Sequence, residues 1–313
     1  MTDKWTAADI PDQAGRTAVV TGANSGLGLI TARELARKGA NVILACRNTT
    51  KGEEAAAAIL QDAPEGGVDV RALDLADLSS VHAFADELDG PVHLLVNNAG
   101  VMGIPRSHTK DGFEMQFGVN HLGHFALTGL LMAQLQKADG PRVVTLSSTA
   151  HKFGKINFDD LQGERRYFRW SAYGQSKLAN LLFAFELQRR AEEAGLPLKS
   201  MASHPGYAAT NLQTRGPEAG GVLTRVEDAL MAVSNRVVAQ SDEMGTLPTL
   251  YAGTVSDLPG GTYVGPDGFQ EQRGHPTPVG STSAAQDRDA ARRLWQVSEE
   301  LTDVRYGLKA ATH

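Results

Sequence analysis

The chain holds one cysteine, Cys46, among 313 residues. An intramolecular disulfide is therefore excluded, and a reducing compartment is the natural setting. It has no run of about eighteen apolar residues, so nothing in it reads as a membrane span. The opening stretch MTDKWTAADIPDQAG is polar and lacks the apolar core of a secretory signal. Basic residues never cluster. The pairs Arg165-Arg166, Arg189-Arg190 and Arg292-Arg293 lie far apart with acids nearby, and the net charge is −6 with a pI near 5.9. Nucleic acid and polybasic membrane contacts are not expected from such a distribution. These absences together predict a cytoplasmic protein with a small-molecule partner.

What is present is a rhythm. Short β-branched runs, RTAVVTG, NVILACR, VDVRALDL, VHLLVNNAG, RVVTLSS and LKSMASHPG, alternate with longer stretches of helical periodicity. Near-continuous apolar strands alternating with helices predict a parallel sheet covered on both faces. With no repeat and no long linker, residues 1–313 read as one domain, an α/β doubly wound fold of the Rossmann type, with 1–14 as an N-terminal extension. Past residue 211 the rhythm weakens. GTYVGPDG offers a last strand, QRGHPTPVGSTS reads as loop, and AAQDRDAARRLWQVSEELT as a closing helix.

TGANSGLG, Thr21 to Gly28, places Gly22, Gly26 and Gly28 between the first strand and the first helix. A tight turn explains a lone glycine cluster. Between a strand and a helix N-terminus, however, glycines let a pyrophosphate approach unpaired N–H groups. The spacing is G-x-x-x-G-x-G, not the commoner G-x-G-x-x-G.

Six ordered motifs carry a resemblance: TGANSGLG, NNAG (Asn97 to Gly100), Asn120 in VNHLGHF, the pair Ser147-Ser148, YGQSK (Tyr173 to Lys177) and HPGYAAT (His204 to Thr210). Over residues 15 to 211 the chain resembles the short-chain dehydrogenases/reductases. INFDDLQGE, YGQSKLANLLFAFEL and VNHLGHFALT look most like the retinol-dehydrogenase-like branch, which includes the WW-domain oxidoreductases. The resemblance implies NADP(H)- or NAD(H)-dependent chemistry at a CH–OH or C=O group. It implies that Gly22, Asn24, Ser25, Gly26, Leu27 and Gly28 hold the pyrophosphate, that Asp74 and Leu75 flank the adenine, and that Asn98, Ala99 and Gly100 lie beside the ribose. Pro205, Gly206 and Thr210 would flank the nicotinamide amide.

At the end of the second strand an acid would bind the 2′-hydroxyl of NAD, and an arginine the 2′-phosphate of NADP. ILACRN puts Arg47 there, so NADP is expected over NAD; the plain alternative is a solvated arginine. Tyr173 and Lys177, four apart in a helical pattern, share a face. An ammonium beside a phenol favours the phenolate, so the spacing predicts Tyr173 as acid/base with its pKa lowered by Lys177. The resemblance gives Lys177 a second role on the ribose, Ser148 a hydrogen bond to the substrate oxygen, and Asn120 a part in a water relay. His121 and His124, three apart and without a carboxylate or thiol nearby, read as helix packing, and no metal is expected.

From Ser148 to Tyr173 the chain is about twice as long as this family shows. Residues 149–171 carry Phe153, Phe158, Tyr167, Phe168 and Trp170, either as a wall for an apolar substrate or as a surface excursion; about 211–240 is the other substrate-side candidate. Retinoid-handling members often carry a membrane anchor, and its lack here speaks against a retinoid substrate and for a soluble, cytoplasmic reductase of open specificity, with an apolar carbonyl or alcohol as the expected small-molecule partner. A reductase of C=C bonds like those acting on protochlorophyllide, and a non-catalytic NADP-binding sensor, stay open as alternatives. A homo-oligomer is compatible with the sequence and undecided by it.

Overall fold

The computed structural model describes residues 4–63, 66–206 and 241–308. Eight strands form one sheet in the order β3-β2-β1-β4-β5-β6-β7-β8. They are β1 (Thr17–Thr21), β2 (Asn41–Cys46), β3 (Val68–Ala72), β4 (Leu94–Asn97), β5 (Arg142–Leu146), β6 (Lys199–Ser203), β7 (Tyr263–Pro266) and β8 (Pro276–Pro278). Seven run parallel, and β8 alone is antiparallel, pairing with β7.

The helices are α1 (Gly26–Arg37), α2 (Thr49–Asp62), α3 (Leu78–Asp86), α4 (Met115–Phe117), α5 (Gly123–Leu130), α6 (Met132–Gln136), α7 (Arg169–Glu193), α8 (Asp242–Thr254) and α9 (Arg288–Thr302). Their starts follow from short polar side chains: Asn48 accepts from Lys51 N, Asp77 from Ser79 N, and Asp287 from Asp289 N and Ala290 N. Among the described residues no helix is long and apolar enough to cross a membrane.

Successive strand residues point to opposite faces, so each apolar run feeds two cores. Val20, Leu44 and Val144 pack with Leu35, Ile59 and Leu250 on one face. Val19, Ile43 and Val143 pack with Phe84, Phe125 and Phe183 on the other. This is why the central strands read as unbroken apolar runs. The edge strand β3, Val68–Ala72, is only partly buried.

The stretch QRGHPTPVGSTS, expected as loop, contains β8. Two of its three residues are proline, which leaves a ladder on one side only and is tolerated at a sheet edge. The predicted closing helix is broken by Asp287, which ends a short 3₁₀ turn (Ser283–Gln286) and caps α9.

The strand order reverses between β1 and β4, and ligands bind outside the carboxyl ends of strands at such a point. The quoted motifs at the ends of β1, β4, β5 and β6 all lie on that edge.

Two histidines beside this edge are fully buried. His121 lies among Phe117, Phe125 and Phe183, with Nε2 2.9 Å from Ser298 Oγ. His124 bridges Thr21 and Asn120. Burial pushes their pKa values down to about 3 and about 4. The unfolded chain, with histidine near 6.5, therefore binds more protons below that pH, and stability present above pH 6.5 drains away as pH falls toward 4. The loss reaches at most roughly 3 kcal/mol per histidine by pH 4. Denaturant midpoints measured between pH 7 and 4.5 should fall steeply, and His121→Gln should flatten that slope.

Candidate active site

The glycine turn is built by close approach. Gly22 has φ 66°, and a Cβ on Gly28 would sit 2.5 Å from Asn98 Nδ2 and 2.6 Å from Gly22 O. Only hydrogen fits there. The turn therefore rests directly on the NNAG segment, and α1 opens at Gly26 with Ser25 at its N-cap. A Cβ on Gly26 would meet nothing within 4 Å, so the backbone at the N-terminus of α1 is open at that residue.

Thr21 locks the two segments together. Its Oγ1 accepts from Asn98 N and Ala99 N, both at 2.9 Å, while Asn98 Nδ2 donates to Thr21 O at 2.7 Å. His124 Nδ1 faces the Asn120 carbonyl at 3.1 Å, so Nδ1 carries the proton and Nε2 accepts from the Thr21 hydroxyl at 2.9 Å. The two histidines read as helix packing thus include one that ties the glycine turn to Asn120.

Asn120 sits in a π-helical turn, Gly118–Leu122, between α4 and α5. Its side chain accepts from Val101 N (2.8 Å) and donates to Val101 O and Ser176 Oγ (both 2.9 Å). It therefore clamps the chain after NNAG onto α7, one residue before Lys177.

Tyr173 and Lys177 are both buried on α7, with the ammonium over the ring at 5.7 Å from its centroid. Burial pushes the Tyr173 phenol up to about 12, against the smaller downward pull of the neighbouring Ser148 hydroxyl. Burial also pushes Lys177 down to about 8. The expected lowering of the phenol by the ammonium is thus reversed in direction: Nζ faces the ring and donates to Leu146 O at 3.2 Å, and the desolvated phenolate is the costlier species.

The serine pair divides its labour. Ser147 Oγ donates to Lys177 O at 2.8 Å and is buried, which commits it to α7. Ser148 Oγ accepts from Ala150 N at 3.2 Å, leaving its own proton to donate toward Tyr173.

The remaining candidates are spread around this centre. Arg47 is exposed just past β2. Asp74 Oδ1 accepts from Ala76 N at 3.0 Å, so its carboxylate shapes its own turn, and Leu75 is buried against Gly123. Leu27 is buried, whereas Asn24 and Ser25 are half-buried at the turn. Pro205 and Gly206 follow β6. Thr210 and the segment 211–240 lie outside the described residues.

The aromatic insertion separates into parts. Trp170 packs against Gly103, its ring edge-on to Tyr173 with centroids 6.4 Å apart. Phe158 lies instead under Arg293, 4.2 Å from ring centroid to guanidinium carbon, and Phe153 and Phe168 are exposed. The strap is tied down. Tyr167 OH donates to one of Ile104 O (3.0 Å) and Glu114 Oε1 (3.1 Å), and it accepts from Gln116 Nε2 (2.9 Å). Gln116 in turn accepts from Gly103 N at 2.8 Å. None of Thr21, His124, Glu114 or Gln116 was singled out as a site residue from the sequence; a hydroxyl closing the strand before a glycine turn was the one available signal.

Gly28→Ala should force the turn away from Asn98. The expected result is at least tenfold weaker NADPH binding by fluorescence titration, with a stability loss of about 1–3 kcal/mol.

A sequence profile described as short chain dehydrogenase matches residues 16–219. Mouse retinol dehydrogenase 12 is 43% identical over 297 residues, spanning 93% of this chain and 88% of that protein. The crystal structure of an uncharacterised protein from Mycobacterium paratuberculosis superposes with a TM-score of 0.81 at 49% identity, covering 97% of this chain and 99% of its own. A structure from Beutenbergia cavernae, described as an NAD(P)-dependent gluconate 5-dehydrogenase with NADP bound at low occupancy, gives a TM-score of 0.57 at 27% identity, covering 78% and 91%.

Proposed function

Because the chain belongs to the short-chain dehydrogenase family, in its retinol-dehydrogenase-like branch, we propose that it is an NADP(H)-dependent oxidoreductase for an apolar aldehyde or ketone and the matching alcohol. The observation that carries this reading is the meeting of Ser148, Tyr173 and Lys177 at the carboxyl edge of the sheet, beside the glycine turn. In this reading residues 1–313 are one dinucleotide-binding domain. Gly22 to Gly28 hold the pyrophosphate, Asn98 to Gly100 the ribose side, Leu75 the adenine, and Pro205–Gly206 the amide side.

When bound, the nicotinamide supplies or accepts the hydride. The protein handles the proton. Tyr173, held protonated by burial, donates to the carbonyl oxygen as that oxygen gains charge. Ser148 donates a hydrogen bond to the same oxygen, stabilising charge that develops only in the transition state. Lys177 supplies a positive charge beneath the phenol and N–H groups for the ribose. Trp170, fixed by the Tyr167 strap, forms an apolar wall next to the reacting oxygen. The name of the mouse relative supports a hydrophobic alcohol or aldehyde as the substrate class.

A protonated Tyr173 suits reduction. Lys177 is charged below about pH 8 and loses that charge above it. Reduction should therefore hold level at neutral pH and decline as pH rises through 8, while alcohol oxidation, which needs the phenol to lose its proton, should gain only as pH approaches the phenol's own value of about 12. Tyr173→Phe keeps the ring and should bind NADPH normally, yet lose at least about 10²-fold in kcat. Stopped-flow or steady-state NADPH oxidation with decanal and all-trans-retinal, beside an NADPH titration, checks both. A Tyr173→Phe protein turning over near the wild-type rate would refute the mechanism.

Arg47 at the end of β2 supports NADP(H). The expected preference over NAD(H) is at least tenfold in dissociation constant, about 1.4 kcal/mol, since a guanidinium pairs well with a 2′-phosphate. Arg47→Asp should move it toward NAD(H). Equal constants for the two nucleotides in the wild-type protein would remove this assignment.

A further inference from the structure

Behind the site, the turn between β7 and β8 holds two residues in left-handed backbone. Gln270 and Glu271 have φ of 51° and 58°. A side chain makes that conformation costly, so it persists only where surrounding contacts hold it. Those contacts converge on the Glu271 carboxylate. One oxygen lies 3.1 Å from His204 Nε2 and the other 3.2 Å from Lys152 Nζ.

His204 is fully buried, and its Nδ1 accepts from Gly206 N at 3.2 Å. The ring proton is therefore on Nε2, the nitrogen 3.1 Å from the carboxylate. Gln272, the next residue after Glu271, presses its carbonyl against Gly206, where a Cβ would stand 2.4 Å away. On the other side His151, beside Lys152, donates from Nδ1 to Ser148 O at 2.7 Å. The rings of His151 and His204 both lean on Tyr263, with centroids 5.5 and 5.1 Å away. Burial lowers the pKa of His204, and the bonds from His204 and then Lys152 hold Glu271 down to about 2, so the carboxylate stays charged opposite a neutral ring and a lysine.

One carboxylate thus joins the segment that follows β5 to the turn that follows β6. We infer that Glu271 is a positioning residue, which by bridging His204 and Lys152 fixes the spacing between the Ser148 hydroxyl and the Pro205–Gly206 turn. Ser148 addresses the substrate oxygen and Pro205–Gly206 the nicotinamide side, so this spacing sets how the two reactants meet. The inference rests on the roles proposed above for those two segments. It explains why strained backbone is kept there: among the described residues no other carboxylate is paired with both His204 and Lys152.

The test uses the full chain in two variants. Glu271→Gln keeps the size and loses the charge. Glu271→Gly loses the carboxylate but suits the left-handed backbone, so it should fold at least as stably as wild type. In the nucleotide-free protein, amide hydrogen exchange at residues 148–152 and 204–206 should quicken about tenfold in both variants. The kcat for NADPH-dependent decanal reduction should fall about tenfold, while the NADPH dissociation constant moves less than threefold. Full kcat in Glu271→Gly would overturn the inference whatever its melting temperature, because the carboxylate would then serve the fold and not the spacing. Adding Lys152→Met to Glu271→Gln should cost nothing more; a further independent loss would also count against it. Exchange at both segments within twofold of wild type in both variants overturns it outright. Tyr173→Phe, run alongside, separates the two levels: if that variant keeps its turnover, the reading of the site has failed, and the exchange result still decides whether Glu271 spaces the two segments.

Discussion

A single buried hydroxyl, that of Thr21, sets the geometry on which the cleft depends. It accepts the amide protons of Asn98 and Ala99 and gives its own proton to His124, whose other nitrogen holds the Asn120 carbonyl. One atom therefore fixes the end of β1 against the end of β4 and both against the π-helical turn. Asn120 carries the constraint onward through Val101 and Ser176 to α7. A buried hydrogen bond nets about 1 kcal/mol, but leaving one of its partners unsatisfied costs about 1–3 kcal/mol. Each member of this chain is thus more expensive to remove than its own bond is worth. Tyr173 and Lys177, flanking Ser176 on α7, inherit their place from a residue in the first strand.

Burial then decides what these placed groups do. Water excluded from α7 and the serine pair raises the phenol and lowers the ammonium, so the neutral forms gain on both sides. A phenol that keeps its proton is a donor, and a lysine near 8 is a charge that changes close to neutrality. The Tyr167 strap works in the same direction. By accepting from Gln116 and donating to one of Ile104 O and Glu114, Tyr167 holds the strap that brings Trp170 to the edge of Tyr173. Apolar surroundings and satisfied hydrogen bonds give the site a low dielectric in which a few donors act strongly.

Much of this was legible in the residues. The parallel sheet was readable because strands covered on both faces are apolar throughout, and the motifs because parallel strands deliver their carboxyl ends to one edge. The serine pair was legible as a motif, but not that Ser147 donates to the Lys177 carbonyl. What stayed hidden depends on contacts between distant parts of the chain. β8 was unreadable because Pro276 and Pro278 signal a loop, and only the partner β7 makes them an edge strand. The spacing of Tyr173 and Lys177 gives a shared helix face but not the depth of that face or the direction of Nζ, so the phenol shift has the opposite sign to the one the spacing suggests. Aromatic content flagged the insertion without showing that Trp170 turns toward Tyr173 while Phe158 turns to Arg293. Glu271 had no local signature at all, because its partners lie in the turns after β5 and β6.

The central claim is that Tyr173, Ser148 and Lys177 serve hydride chemistry at a carbonyl carbon. Its most direct test is to incubate the protein with an α,β-unsaturated apolar aldehyde and NADPH deuterated at C4, in each of its two epimers, and to locate the label by mass spectrometry and NMR. The expected product is the allylic alcohol with one deuterium on the carbinol carbon, delivered from one epimer only. Deuterium on the former alkene carbon, or no transfer at all from a bound nucleotide, would contradict it.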